Sequence, residues 1–314
     1  MNTLFKKNRS LISIPDLGKD EIEQIIKDAF IYKSQGMVHE QILSGHVVTL
    51  IFEKPSLRTR IAFEAAVGSL GGIPIFQSGV EIFRRSDGAT RETIEDIANV
   101  LERYSSCIIA RVNNHSSVKK MADCASIPVI NALCDLHHPT QAIADLMTIM
   151  WHKLDKKKLK VAFIGDGNNV GVSLMHICTM MGYDFVHAGP KDFWYTEEQI
   201  RPARGYANAE GSKLIFTENV DEAVSDADVV YTDTFVSMGD EGEEEKGLNI
   251  FAPYQVTSDL MKKAKSDAIF LHCLPAHRGE EVTNEVIDSS QSKVFDLAEC
   301  RMHVAKALLK FYLS

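Results

Sequence analysis

LIFEKPSLRTRIAFEAA, residues 50–66, joins a short apolar run to a helical pattern through a tight turn. Pro55 ends the apolar run because proline cannot donate to a strand ladder, and Ser56 is a favoured N-cap. The first N–H groups of a helix have no intrahelical partner, and with the helix dipole they attract anions. Ser56 and Thr59 add hydroxyls, and Arg58 adds a guanidinium that matches phosphate geometry. We therefore predict a phosphate site here; a capped helix with surface arginines is the alternative.

The same alternation of apolar runs and helical patterns continues along the whole chain. Strands are predicted at 46–53, 73–76, 107–111, 127–131, 160–165, 184–188, 213–217, 228–233, 268–273 and 293–297. Helices are predicted at 60–70, 93–104, 117–125, 140–154 and 299–313. Alternating strands and helices form parallel sheets covered on both faces, so the predicted fold class is α/β. A charged turn at 155–158 predicts two doubly wound parallel-sheet domains joined by a linking helix.

Length and composition limit the kind of protein. The 314 residues fit two domains of about 100–200 residues each. A net charge of −9 argues against a broad surface for nucleic acid or anionic membrane, although local arginines can still bind a small anion. No apolar stretch approaches the ~20 residues that cross a bilayer, and the first residues lack an apolar signal segment. We therefore expect a cytoplasmic protein.

The cysteines give no pattern of metal ligands. None belongs to a C-x-x-C pair, and none has zinc-ligand spacing with histidine. The six lie at Cys107, Cys124, Cys134, Cys178, Cys273 and Cys300. We expect no metal site, and a reducing compartment is the simple interpretation.

A second group of polar residues falls where predicted strands end and helices begin. Arg111 ends the strand CIIAR, and Arg301 is expected to begin the last helix. His138 and Gln141 are three residues apart at the start of the linking helix, so both can face one ligand. A lone histidine is more often a core residue bonded to a carbonyl, but the two arginines favour a site. Neutral imidazole, glutamine and guanidinium are donors that can polarise a carbonyl oxygen.

Residues 163–174, FIGDGNNVGVSL, contain a glycine spacing that also occurs in dinucleotide-binding loops. A dinucleotide fold requires an acid at the end of the next strand, but Asp184 lies at the start of that strand. A nicotinamide-dependent dehydrogenase is therefore a minor alternative, and we expect no cofactor. The amides of Asn168 and Asn169 lie where a ligand could bind.

Two later strands also end in polar residues. Asp233 follows the strand DVVYT, with Ser237 and Met238 a few residues beyond it. An acid at a strand end can hold an ammonium group, although a cap or loop-ordering carboxylate is equally consistent with this position. Cys273 follows the strand AIFLH and precedes Leu274; its alternative is a buried structural thiol.

Taken in order, several motifs resemble those of the ornithine carbamoyltransferases over nearly the whole chain. They are EKPSLRTR, HPTQ, DGNNV, DTFVSMG, HCLPAHRGEEV and ECRMHVAKA. The HPTQ and S-x-R-T-R segments are shared with the wider carbamoyltransferase superfamily, whereas DGNN and SMG are more specific to the ornithine branch. The resemblance implies transfer of a carbamoyl group from carbamoyl phosphate to the side-chain amine of L-ornithine, giving citrulline and phosphate in arginine metabolism.

The resemblance also implies a role for each matching position. Carbamoyl phosphate would be bound by Ser56, Leu57, Arg58, Thr59, Arg111, His138, Gln141, Cys273, Leu274 and Arg301. Ornithine would be bound by Asn169, Asp233, Ser237 and Met238. The residues expected to act in catalysis are Arg58, Arg111, His138, Cys273 and Arg301.

The same resemblance implies the domain limits and the assembly. Residues 1–137 would bind carbamoyl phosphate, 138–154 would link the domains, and 155–297 would bind ornithine. The C-terminal helix, 298–314, would pack back on the first domain of a homotrimer, or multiple of trimers, with sites at subunit interfaces. Leu57 departs from the family, which usually has threonine there. A different amine such as putrescine, or a binding protein without catalysis, remains an alternative.

Overall fold

Two parallel sheets organise the chain, and each belongs to a separate compact unit. The computed structural model describes residues 9–35, 40–83, 91–154, 156, 158–235 and 249–314. The first unit comprises Met1–Met147 and Glu299–Ser314, and the second comprises Thr148–Ala298. The predicted α/β class with two parallel-sheet domains is confirmed, and the final helix belongs largely to the first unit.

The first unit contains a four-stranded parallel sheet in the order β2-β1-β3-β4. Its strands are β1 Val47–Phe52, β2 Ile73–Ser78, β3 Cys107–Arg111 and β4 Val129–Leu133. Its helices are α1 Lys19–Gln35, α2 Leu57–Ser69, α3 Gly79–Phe83, α4 Ile94–Tyr104 and α5 His115–Cys124. The next helix, α6 Pro139–His152, continues into the second unit.

The second unit contains a five-stranded parallel sheet in the order β7-β6-β5-β8-β9. Its strands are β5 Lys160–Ile164, β6 Asp184–Ala188, β7 Leu214–Thr217, β8 Val229–Thr232 and β9 Ile269–His272. Its helices are α7 Asn169–Met180, α8 Glu197–Glu210, α9 Val220–Val224, α10 Ser258–Met261 and α11 Asn284–Ile287. The last helix, α12 Val294–Leu313, begins in this unit and ends in the first.

The strand order of each sheet reverses at one point. In the first sheet β1 lies between β2 and β3, with Phe52 beside Arg111 at the carboxyl ends. In the second sheet β5 lies between β6 and β8, with Ile164 beside Thr232. Ligands of open α/β sheets bind beyond the carboxyl ends of the strands at such switch points. The segments that follow these strands are therefore where each unit is expected to bind its ligand.

The strand predicted at 293–297 is wrong, because residues 294–297 form the start of α12. Val294 and Leu297 are buried, whereas Phe295 is 70% exposed, so the buried positions follow the i, i+3 spacing of a helix. A five-residue apolar run is too short for periodicity to separate strand from helix. As a consequence Arg301 lies about two turns inside the helix, and the prediction that it begins the helix is also wrong.

Helix α1 was missing from the sequence prediction. Its buried residues include Ile22, Ile25, Ile26 and Ala29, which is the i, i+3, i+4, i+7 pattern of an amphipathic helix. Asp20 and Glu21 in the first turn interact favourably with the helix dipole. The sequence therefore contained a local pattern that predicts this helix. None of the helices in the described ranges is both long enough and apolar enough to span a membrane.

Candidate active site

The turn between β1 and α2 in the first unit presents the start of a helix. Ser56 is the N-cap of α2, and its side-chain oxygen accepts a hydrogen bond of 3.2 Å from the backbone N–H of Thr59. The Leu57 side chain is 69% exposed, so it contributes little packing at this turn. As a leucine it also has no hydroxyl to offer a ligand. The turn therefore offers backbone N–H groups and hydroxyls at the positive end of a helix.

The two arginines of this turn have different surroundings. Arg60 donates from Nε to Glu64 Oε1 at 2.9 Å, and its guanidinium lies 3.4 Å from the centroid of the Phe76 ring. Arg60 is thus held along the surface of α2 by an ion pair and a cation–π contact. Arg58 is the second residue of the helix and is half-buried. Arg58 therefore lies in the first turn of α2, next to the N-cap.

A hydrogen bond connects this turn to the last helix of the chain. Arg301 in α12 donates from Nη2 to Thr59 Oγ1 at 2.6 Å, and both side chains are buried. Because the hydroxyl accepts from Arg301, its own hydrogen is available to another acceptor. Arg111 is also buried at the end of β3, and its carbonyl accepts from the Glu53 N–H at 2.8 Å. Two guanidinium groups therefore lie buried at the switch point of the first sheet.

His138 is buried immediately before α6, as the sequence predicts. Burial, and then the positive charges of Arg301 and Arg111, lower the pKa of His138 well below its usual value of 6.5. His138 Nδ1 lies 3.5 Å from Thr140 Oγ1. The imidazole is therefore neutral at pH 7, and in this state one ring nitrogen donates while the other accepts.

Gln141 is fully buried one turn further along α6. Its Nε2 donates to Asp145 Oδ1 at 2.9 Å, and Asp145 is also fully buried. Within the part of the chain that the structure describes, the buried Oε1 of Gln141 has no hydrogen-bond partner. Asp145 thus fixes the orientation of the amide, with the carbonyl oxygen of Gln141 as a buried acceptor.

In the second unit an amide, a carboxylate and a thiol form one hydrogen-bonded chain. Asn168 caps α7 by accepting from the N–H groups of Val170 and Gly171, both at 3.0 Å. Its Nδ2 donates to Asp233 Oδ2 at 2.8 Å. Cys273 Sγ donates to Asp233 Oδ1 at 3.0 Å. The ends of β5, β8 and β9 are therefore tied together by a single carboxylate.

Leu274 has a backbone conformation that side chains rarely adopt, with a φ of 59°. Its N–H donates to His272 Nδ1 at 2.9 Å, which leaves the proton of the ring on Nε2. His272 Nε2 then donates to Glu281 Oε1 at 3.0 Å, and both side chains are fully buried. This buried pair stabilises the strained residue that directly follows Cys273.

The glycines after β5 and β6 are explained by close packing within the second unit. A Cβ on Gly189 would lie 2.2 Å from the carbonyl oxygen of Gly165, and one on Gly171 would lie 2.3 Å from the hydroxyl of Tyr195. Gly165 has a φ of 119°, which side chains rarely adopt. Close packing and the backbone conformation of Gly165 therefore explain why glycine occupies these positions, and no bound dinucleotide is needed to explain them.

The structure places most of the predicted residues at the two switch points. Asn169 is the first residue of α7, and Asp233 and Cys273 directly follow β8 and β9. Ser237 and Met238 lie outside the described residues. The sequence interpretation gave no role to Asp145, His272 or Glu281, and it did not predict that Asn168 holds Asp233. These residues could not be found from a local pattern, because each is defined by a contact with a residue on another element or on the next turn of its helix.

The two parallel-sheet units, one with buried arginines and the other with an acid–amide–thiol chain beyond its strands, define a two-domain α/β protein with a candidate ligand site in each unit. A family model described as "Aspartate/ornithine carbamoyltransferase, carbamoyl-P binding domain" matches residues 9–151. Its companion, described as "Aspartate/ornithine carbamoyltransferase, Asp/Orn binding domain", matches residues 157–312. The chain therefore belongs to the aspartate/ornithine carbamoyltransferase family, and the resemblance seen in the motifs is confirmed.

Individual relatives are similar over nearly their whole length. A protein of Caldicellulosiruptor saccharolyticus named "Ornithine carbamoyltransferase" is 48% identical over 306 residues, which are 96% of this chain and 98% of that one. A protein of Pyrococcus furiosus named "Ornithine carbamoyltransferase, anabolic" is 45% identical over 96% of this chain and 95% of its own. The solved structure of the P. furiosus ornithine carbamoyltransferase has a TM-score of 0.92 at 44% identity, covering 98% and 97% of the two chains.

The buried position of His138 predicts an imidazole that stays neutral through the physiological range. In ¹⁵N NMR of histidine-labelled protein, its ring nitrogens should keep neutral-tautomer shifts at pH 6, because burial and two guanidinium groups oppose protonation. The resonance is assigned by its loss in His138→Gln. A titration midpoint at or above about 6.5, the value of an ordinary histidine, would contradict the neutral assignment.

Proposed function

We propose that this chain transfers the carbamoyl group of carbamoyl phosphate to the side-chain amine of L-ornithine, giving citrulline and phosphate. The observation that carries the proposal is the buried cluster of Arg111, His138 and Arg301 next to the capped start of α2. It combines an anion-binding helix start with donors for a carbonyl oxygen, the two groups that carbamoyl phosphate presents. Relatives named ornithine carbamoyltransferase support the choice of acceptor.

The phosphate group is proposed to bind at the turn between β1 and α2. Ser56 would donate from its hydroxyl, and the N–H groups of Leu57 and Arg58 would donate from the backbone. The single hydroxyl hydrogen of Thr59, whose oxygen accepts from Arg301, would serve the adjoining carbamoyl group. Because the Leu57 side chain points largely to solvent, its backbone N–H is the part that serves phosphate at this position. The guanidinium of Arg58 supplies charge and bidentate geometry.

The carbamoyl group is proposed to lie against the buried end of β3. Arg111, Thr59 and neutral His138 would hold its carbonyl oxygen, and the Oε1 of Gln141 would accept from its amide N–H. As the amine attacks the carbamoyl carbon, negative charge develops on this oxygen, and preorganised donors stabilise it. Arg58 and Arg301 would take up charge on the departing phosphate. No covalent intermediate with the enzyme is needed.

Ornithine is proposed to bind to the second unit. Asn169, Asp233, Ser237 and Met238 would hold its α-amino and carboxylate groups, with Asp233 held in place by Asn168. Cys273 and the carbonyl of Leu274 would line the point of transfer.

The attacking amine must lose its proton before it can act as a nucleophile. A lysine-like amine has a pKa near 10.4, so deprotonating it at pH 7 costs roughly 4.6 kcal/mol at about 1.36 kcal/mol per pH unit. The leaving phosphate is one proton acceptor, and Cys273, whose thiol lies against Asp233, is a further participant. The remaining rate enhancement comes from holding the two substrates in position.

The cellular setting is proposed from the same relatives. The P. furiosus protein is named anabolic, which favours citrulline synthesis for arginine over citrulline breakdown. A cytoplasmic location accords with this metabolic role. Recovery of the native enzyme in the cytosolic fraction tests the location, and its recovery with the membrane or secreted fraction would contradict it.

The chain is further proposed to form a homotrimer through an apolar surface of the first unit. Ile75, Val100 and Tyr104 line a groove of about 360 Å³. Leu57 and Ile61 in the same unit are also exposed, and exposed apolar surface of this kind marks interaction sites.

Sedimentation equilibrium should therefore give a particle of three chains for the wild type, and a smaller one for Tyr104→Glu, because a charge in an apolar interface is costly. Phe295→Glu, which changes an equally exposed aromatic residue of the second unit, should remain trimeric. A monomeric wild type, or equal assembly of both variants, would contradict this surface.

Citrulline formation from carbamoyl phosphate and ornithine, with putrescine and lysine in parallel, tests the activity. Arg58→Ala should lower the rate at least about 100-fold, because it removes charge stabilisation at the departing phosphate. Arg60→Ala is the matched control and should keep its rate within about fivefold, because Arg60 is held by Glu64 and the Phe76 ring and has no role in the proposed phosphate site.

In the same assay Asp233→Asn should raise the KM for ornithine by about 10- to 100-fold, because the variant loses one charge-assisted hydrogen bond to the substrate. Full activity of Arg58→Ala would rule out the phosphate site. Product with putrescine but none with ornithine would establish the alternative acceptor.

A further inference from the structure

The loop that follows β9 brings together three metal-ligating side chains that have no role in the proposed binding of the substrates. His277, Glu280 and Glu281 each offer one ligand atom, and these atoms all lie within 4.8 Å of one another. His277 Nδ1 and Glu280 Oε2 are 3.4 Å apart. Ligands about 2.1 Å from a tetrahedral ion are separated by about the same distance, so this pair can share one cation.

Glu281 provides a second observation that points to a ligand. Its side chain is fully buried. Its Oε1 already accepts from His272 Nε2 at 3.0 Å and from the backbone N–H of His277 at 2.6 Å. The buried Oε2 has no hydrogen-bond partner in the described ranges. A buried carboxylate oxygen without a donor is unfavourable, and a bound cation would satisfy it.

The surroundings keep the backbone of the cluster in place, and the neighbouring Arg278 is engaged elsewhere. Gln255 Nε2 donates to the carbonyls of Gly279 at 2.6 Å and Glu280 at 2.9 Å, which fixes the backbone that carries the ligands. Arg278, the nearest cation in sequence, is engaged by both carboxylate oxygens of Asp288 at 2.7 and 2.8 Å.

We propose that His277, Glu280 and Glu281 form a binding site for a divalent first-row transition-metal cation. One imidazole nitrogen and two carboxylate oxygens suit Mn²⁺ through Zn²⁺, with water completing the coordination. The site is separate from the group of Asp233, His272 and Cys273, whose thiol favours softer ions. Because Glu281 also accepts from His272, a bound cation lies two hydrogen bonds from the backbone of Leu274.

Titration of the full-length protein with Mn²⁺, followed by the EPR signal of the free ion, tests this site. The wild type should bind Mn²⁺ saturably, and His277→Gln and Glu280→Gln should each raise the Kd at least tenfold. Both side chains are substantially exposed, so the variants should fold, and their thermal unfolding is measured to verify this. Glu285→Gln, which changes an exposed carboxylate on α11, is the matched control and should bind within twofold of the wild type.

Cys273→Ser separates the two groups of potential ligands. It should retain the wild-type Mn²⁺ affinity, because the proposed site contains no thiol. Absence of saturable binding would overturn the proposal. So would binding that is unchanged in His277→Gln and Glu280→Gln, or binding that is lost in Cys273→Ser.

Discussion

The hydrogen bond from Arg301 to Thr59 joins parts of the chain that are 242 residues apart, and the first unit's site depends on it. It ties the last helix to the helix start that follows β1, and it buries a guanidinium beside a second one at Arg111. A chain with a net charge of −9 thus concentrates positive charge at one sheet edge. His138 is neutral there because burial, and then repulsion by the two positive charges, lower its pKa well below the usual value. An oxyanion is the ligand that such a pocket favours.

In the second unit, a single carboxylate connects the loops that follow several strands. Asp233 accepts from Asn168 and Cys273, so the loops after β5, β8 and β9 are held at one place. Beyond Cys273, the strained backbone of Leu274 is supported by His272, which is itself held by Glu281. The proposed acceptor site therefore rests on the partly buried contacts of Asp233 and on the fully buried pair of His272 and Glu281.

Much of this architecture was predictable from sequence, because parallel sheets have strong local signals. The apolar run before Pro55, the cap at Ser56 and the polar residues after each strand all lie where the patterns put them. What failed was the interpretation of 293–297, where a short apolar run with Val294 and Leu297 inward is helical. The contacts of Arg301 with Thr59 and of Asn168 with Asp233 were not predictable, since no local periodicity encodes a partner on a distant element.

The capped start of α2, completed by Arg301, is the proposed binding site for the phosphate of carbamoyl phosphate. Isothermal titration calorimetry with Thr59→Val tests it most directly, because valine keeps the shape of threonine and removes the hydroxyl that accepts from Arg301. The wild type should bind carbamoyl phosphate saturably, with an affinity that falls as salt is added, and the variant should bind about 10- to 100-fold more weakly. No saturable heat in the wild type, or equal affinity in the variant, would contradict the account.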